Sequence, residues 1–253
     1  MPDAEREQPP SAVPCDYDTD PGRWAANQAF RPRPGRGRPI VDVFGIVARR
    51  ILARSTAGPV LEIGGGTGPL ARELAGHGVR VVVADLAAML SQAPRPAVWT
   101  DARAAGFQDE SFGTVAALWM LYHLPDPALA LGEARRVLRP GGCLVACAPS
   151  RFNDPELAEV LPGWGEPLTF DAENAASQAG RFFQVTGTET WDIPLIDLAT
   201  ASAAARYLRG RGMTEKAASR AAGQVPVPVR LTKRGALVWA RKPPATAAAA
   251  PQA

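Results

Sequence analysis

The chain has 253 residues, 46% of them hydrophobic, with 28 Lys/Arg against 25 Asp/Glu and a formal net charge of +3. That length suits one α/β domain with a substantial core. Cys15, Cys143 and Cys147 make no disulfide framework, His77 and His123 make no zinc cluster, and no apolar run approaches a membrane span, so the expectation is a reduced, cytoplasmic chain without metal or membrane part.

Residues 1–16 are polar and rich in Pro and acids, and read as a disordered tail; the Pro/Ala stretch 243–253 reads the same way. Residues 17–57 form an N-terminal unit. It holds Tyr17, Trp24 and Phe30, then a basic loop from Arg31 to Arg38 that its prolines and glycines keep irregular. Pro39 then opens a helix whose Ile40, Val43, Phe44, Val47, Ile51 and Leu52 make one apolar stripe.

Residues 58–242 read as the main domain. Val60, Leu61 and Ile63 form a buried strand that ends in a glycine turn, and Pro69 suits the first position of the helix carrying Leu70 and Leu74. Strand, glycine turn and helix together place a nucleotide-like ligand against the helix N-terminus. A second strand, 79–84, ends at Asp85, positioned to accept ribose hydroxyls, and Leu86 to Leu90 begins a helix with an apolar lip. His77 sits at a helix end, favoured there by the dipole. Ala97 to Trp99 is a short third strand, and Asp101-Ala102 after it can meet an adenine edge.

Thr114 to Met120 is the fourth strand. Asp126 then caps a helix opened by Pro127, and Pro140-Gly141-Gly142 stops it. Cys143 to Ala148 is a fifth buried strand in which Cys143 and Cys147 share a face. Phe182 to Trp191 reads as strand six, Asp197 as the cap of an Ala-rich helix through Leu208, and Thr214 as the cap of another that ends at Gly223. Val229 to Leu231 and Ala236 to Ala240 make the last strand. Residues 206–242 carry ten Lys/Arg against Glu215 alone, yet scattered arginines on helices and strands usually form a solvated face, so the pattern argues against a nucleic-acid partner.

Glu62, Gly64, Gly66 and Gly68 alternate as E-x-G-x-G-x-G; Asp101 to Phe112 reads D-A-x-x-A-G-F-x-D-x-S-F; and Leu121 to Pro127 with Arg135 to Gly142 complete the series. Across roughly residues 58–148 the chain resembles the class I S-adenosylmethionine (SAM)-dependent methyltransferases, in the type 11, ubiquinone/menaquinone-methyltransferase-like branch. The resemblance implies an α/β, Rossmann-like, doubly wound sheet of seven strands in the order 3-2-1-4-5-7-6, strand seven antiparallel, with an N-terminal helical lid. It implies SAM as cofactor, held by Glu62, Gly64, Gly66, Gly68, Asp85, Leu86, Asp101, Ala102 and Leu118, and a substrate-facing part at 151–226. The sequence departs from the pattern at Ala105-Gly106, where Leu-Pro is usual, and at Gly113, where Asp is usual.

Methyl transfer from a sulfonium needs alignment, with a base only if the acceptor is a hydroxyl. His123 is the base candidate by residue type, or else a structural residue; Tyr17 and Tyr122 are further candidates, and Tyr17 and Trp24 are lid candidates or local packing. The favoured reading is methyl transfer to a small-molecule acceptor at O, N or C, in specialised metabolism if the weight of Ala, Arg, Gly and Pro reflects a G/C-rich genome. An RNA methyltransferase, a nicotinamide-dependent reductase and a SAM-binding protein without catalysis remain alternatives. Pro69 and Asp101-Ala102 disfavour the reductase. The residues set no oligomeric state.

Overall fold

The computed structural model describes residues 19–30, 42–54 and 58–244. Tyr17, the 1–16 tail, the 31–38 loop, Pro39, Ile40 and residues 245–253 of the second tail lie outside the described residues. Seven strands form one sheet: β1 (Val60–Ile63), β2 (Val81–Asp85), β3 (Ala97–Trp99), β4 (Phe112–Leu118), β5 (Leu138–Pro149), β6 (Gln184–Leu198) and β7 (Val229–Arg241). Their order is β3-β2-β1-β4-β5-β7-β6. Strands β1 to β5 pair in parallel, and β7 runs antiparallel to both β5 and β6. This is the expected Rossmann-like, doubly wound sheet.

The central strands are buried on both faces, so alternate residues feed two cores. Leu61, Val115, Leu144 and Ala146 face α4 (Pro127–Val137) and α5 (Ala175–Gly180). Val60, Ala116, Cys143, Val145, Cys147 and Trp239 face α2 (Val43–Arg54) and α3 (Pro69–Glu73). Cys143 and Cys147 share that face as free thiols, and burial raises the pKa of both. The α2 stripe docks through Val43, Val47 and Ile51, while the guanidiniums of Arg50 and Arg54 stand 5.0 and 4.8 Å from the centre of the Trp239 ring. A third core joins α6 (Ala201–Gly210) and α7 (Glu215–Ala222) to the far end of the β6–β7 pair. Finally α1 (Pro21–Ala29) packs on α6. No helix among the described residues is long and apolar enough to cross a membrane.

Several local expectations give way to better-placed competitors. Asp197 is not a helix cap: it lies in β6 opposite Arg230 and pairs with its guanidinium. The helix starts later, where the Thr200 hydroxyl accepts from Ala203 N at 3.1 Å. Residues 88–92 form a 3-10 turn rather than an α-helix, because Pro94 pushes Ala93 into extended backbone. Helix α3 ends at Glu73, short of His77, which sits exposed between left-handed Gly76 and Gly78. Strand β6 runs to Leu198, beyond the expected Trp191, and β7 is continuous through 232–235.

Candidate active site

A cavity of about 500 Å³ opens over the carboxyl ends of β1, β2 and β4, where a doubly wound sheet binds its ligands. Its floor is the turn after β1. Gly64 and Gly66 take φ of +63° and +53° there, which an L side chain rarely adopts. A Cβ at Gly64 would stand 2.6 Å from Met120 Cβ, whereas one at Gly66 would meet the flexible Met89 Sδ at 3.0 Å. Gly68 is also left-handed, but it packs on Pro94 and Val83 and does not line the cavity.

Glu62 lines the cavity and is also engaged from within the protein. It is 2% exposed, and its two carboxylate oxygens accept from Leu70 N at 3.0 Å and Ala71 N at 2.9 Å. Those are the first free amides of α3, since Pro69 has none. The expected seat for a nucleotide phosphate at this helix N-terminus is therefore already filled by a side chain. Burial, opposed by those two amide bonds, pushes the Glu62 carboxyl up to about 7. Asp85, at the tip of β2, accepts from Gly66 N at 2.6 Å and from Ala87 N at 2.8 Å. Its carboxylate thus ties the glycine turn to the second strand.

Leu86, Asp101, Ala102 and Leu118 also line the cavity. Asp101 receives the Arg103 guanidinium, with Nη2 at 2.6 Å, which holds its carboxyl below the usual range. Trp24, Phe44, Trp119, Tyr122 and His123 complete the aromatic side of the wall. His123 lies in a 3-10 turn after β4, its ring 4.5 Å from that of Tyr122. Trp119 takes φ +61°, an uncommon conformation for a bulky residue, held by its N–H to Cys147 O at 3.1 Å and by Trp191 edge-on at 5.8 Å. Sequence reasoning missed Trp119, because nothing in its neighbours signals a positive φ. Among the described lining residues three are acids and none is Lys or Arg.

Residues 61–146 match the Methyltransferase domain family of type 11. Residues 61–146 thus carry a methyltransferase domain. Over 138 residues it is 33% identical to the ubiquinone/menaquinone biosynthesis C-methyltransferase UbiE of Hahella chejuensis, covering 46% of this chain and 55% of that protein. Over 167 residues it is 32% identical to the 23S rRNA (guanine(748)-N(1))-methyltransferase of Streptomyces fradiae, 61% of this chain and 56% of that one. The chain spans about half the length of the curated relatives it matches. The fold also matches the [4+2]-cyclase SpnF with a TM-score of 0.62 at 16% identity, over 93% of this chain and 100% of that one.

The methyltransferase domain supplies the floor and one side of the cavity, while Trp24, Asn27, Gln28 and Phe44 come from helices before it. Class I methyltransferases depend on SAM, and the cavity fits that ligand better than a dinucleotide. A dinucleotide brings a pyrophosphate that would meet three acids and an occupied helix end. SAM brings an ammonium and a sulfonium, both suited to acidic surroundings, and a backbone cradle left open by Gly66.

Proposed function

We propose that the protein is a SAM-dependent methyltransferase acting on a small molecule that bears no strong negative charge. The observation that carries this reading is the sign of the cavity: among the described residues three acids line it and no Lys or Arg does, and Glu62 closes the helix end to phosphate. When bound, SAM supplies a methyl group already made electrophilic by its sulfonium. Asp85 and the backbone of the glycine turn hold the nucleoside and amino-acid parts, and Asp101 and Ala102 meet the adenine edge. Trp24, Phe44 and Trp119 exclude water and orient the acceptor, which lowers the barrier through alignment. If the acceptor is a hydroxyl, His123 accepts its proton.

The aromatic wall suits a flat, uncharged acceptor, and the resemblance to quinone C-methyltransferases makes a neutral aromatic ring one such molecule. An RNA acceptor is less well supported, despite the ribosomal-RNA relative. Of the ten Lys/Arg in 206–242, six are ion-paired: Arg209, Arg211, Arg230, Lys233, Arg234 and Lys242, with Asp20, Asp154, Asp197, Asp192 and Glu110 as partners. The free thiols Cys143 and Cys147 accord with a reduced cytoplasmic setting.

Thermal melts with SAM, its demethylated product S-adenosylhomocysteine (SAH) and NADH test the reading. A ligand at 100 times its Kd adds about 2.7 kcal/mol of stability. Stabilisation by the first two and not by NADH is expected, and the reverse pattern would overturn the proposal. Transfer of labelled methyl from SAM to ribosomal RNA, absent from small-molecule extracts, would favour the RNA alternative.

A further inference from the structure

One wall of the cavity stands on a helix pair outside the sheet. Helix α1 contributes Trp24, Asn27 and Gln28 to the cavity and rests on the C-terminal end of α6. Three contacts among the described residues help to make that joint. The Asp20 carboxylate, which also caps α1, pairs with the Arg209 guanidinium. Arg23 is 6% exposed, and its Nε donates to the Gly210 carbonyl at 3.4 Å. Phe30 meets Tyr207 edge-on, with ring centroids 5.3 Å apart.

Gly210 sets how closely the helices approach. A Cβ at that position would stand 3.0 Å from Asn27 Oδ1 and 3.1 Å from Asn27 N, tighter than ordinary van der Waals contact. The same residue, Asn27, lines the cavity, so a shift at the joint reaches the wall without an intermediary.

Helix α6 is a firm base for this joint. Its Tyr207 hydroxyl donates to Asp154 Oδ2 at 2.7 Å, and Lys233 Nζ on β7 donates to Asp154 Oδ1 and to the Tyr207 oxygen, both at 2.7 Å. Asp154 is fully buried, and this group ties α6 to the β6–β7 pair. A buried carboxylate with an ammonium and a hydroxyl on it is costly to break, because each partner would be left unsatisfied.

We propose that Arg209 and Gly210 are positioning residues for the acceptor side of the cavity: they fix α1 on α6, and through Asn27 and Trp24 they fix the wall the acceptor meets. What the wall does rests on the methyltransferase reading; the joint itself does not. The test uses Arg209→Leu, Gly210→Val and the conservative Arg209→Lys. Amide exchange of residues 22–30 is followed by mass spectrometry, Trp24 emission is taken by difference from the same variants carrying Trp24→Phe, and SAH affinity is measured by calorimetry.

Arg209→Leu and Gly210→Val should each lose at least tenfold protection in 22–30 with β1, β4 and β5 unchanged, and Trp24 emission should shift to the red. SAH affinity should stay within threefold, and Arg209→Lys, which keeps a cation beside Asp20, should retain protection. Unaltered exchange and emission, or protection lost equally across the sheet, would refute the joint. A loss of SAH affinity above tenfold would move α1 to the cofactor side and overturn the assignment. If SAH fails to bind the unmodified protein, the methyltransferase reading falls while exchange and emission still judge the joint.

Discussion

Glu62→Gln separates the charge of this residue from its shape. The carboxyl is buried, titrates near 7 in the folded protein against 4.5 as its ordinary value, and accepts two amides. Because the folded value is the higher one, the folded state binds the extra proton between those limits. Its contribution to stability is therefore complete below pH 4.5 and is lost as pH rises through 7. The shift is worth roughly 3 kcal/mol in all, most of which falls between pH 5 and pH 8. The glutamine variant does not titrate, so its stability should lack that fall. For a chain of this size, 1 kcal/mol moves the melting temperature by roughly 2–4 °C. Melts of both proteins at pH 5, 6, 7 and 8, without ligand, should show the unmodified protein losing about 5–10 °C more than the variant. Parallel curves would mean that Glu62 is ionised throughout and that its burial is not the dominant influence on it.

Other substitutions divide the floor of the site by role. Gly66→Ala should weaken SAH binding at least tenfold in calorimetry with a modest loss of stability, since the atoms nearest its Cβ belong to the flexible Met89 side chain, the first at 3.0 Å. Gly64→Ala should instead lower the melting temperature more, because Met120 stands 2.6 Å from the added carbon; the opposite ranking would show that the collisions do not control either effect. Asp85→Ala should cost at least tenfold in SAM affinity through lost hydrogen bonds and a released Gly66 amide, and equal affinity would place Asp85 outside the site. His123→Ala should reduce kcat with SAM affinity unchanged, and near-normal turnover would remove His123 as base.

Much of the sheet was legible because each parallel strand is an apolar run cut off by a turn residue, and Asp126-Pro127 caps its helix where expected, with Ala128 N 2.9 Å from the Asp126 carboxylate. The candidate cofactor residues were legible as neighbours around one cavity but less so in what each of them touches. Glu62 reads as a ligand contact until its partners eight and nine residues on are seen to be helix amides. Gly68 belongs to the same spacing as Gly64 and Gly66, yet its neighbours make it a packing glycine. The rest depends on contacts between distant segments. Asp197 carries the residue type of a cap, and only its registry with Arg230 shows why it is not one. The basic flank, read from the sequence as a solvated face, likewise shows its partners only in the fold, where acids as remote as Asp20 and Glu110 come beside it.

Titration of the purified protein with SAM at pH 7, in two buffers of different ionisation enthalpy, tests the central claim most directly. One molecule should bind per chain, with a fraction of a proton released as the cationic ligand draws Glu62 into its charged form, and binding should weaken toward pH 5.5. Absence of heat at millimolar SAM and SAH, with the protein folded, would contradict the account.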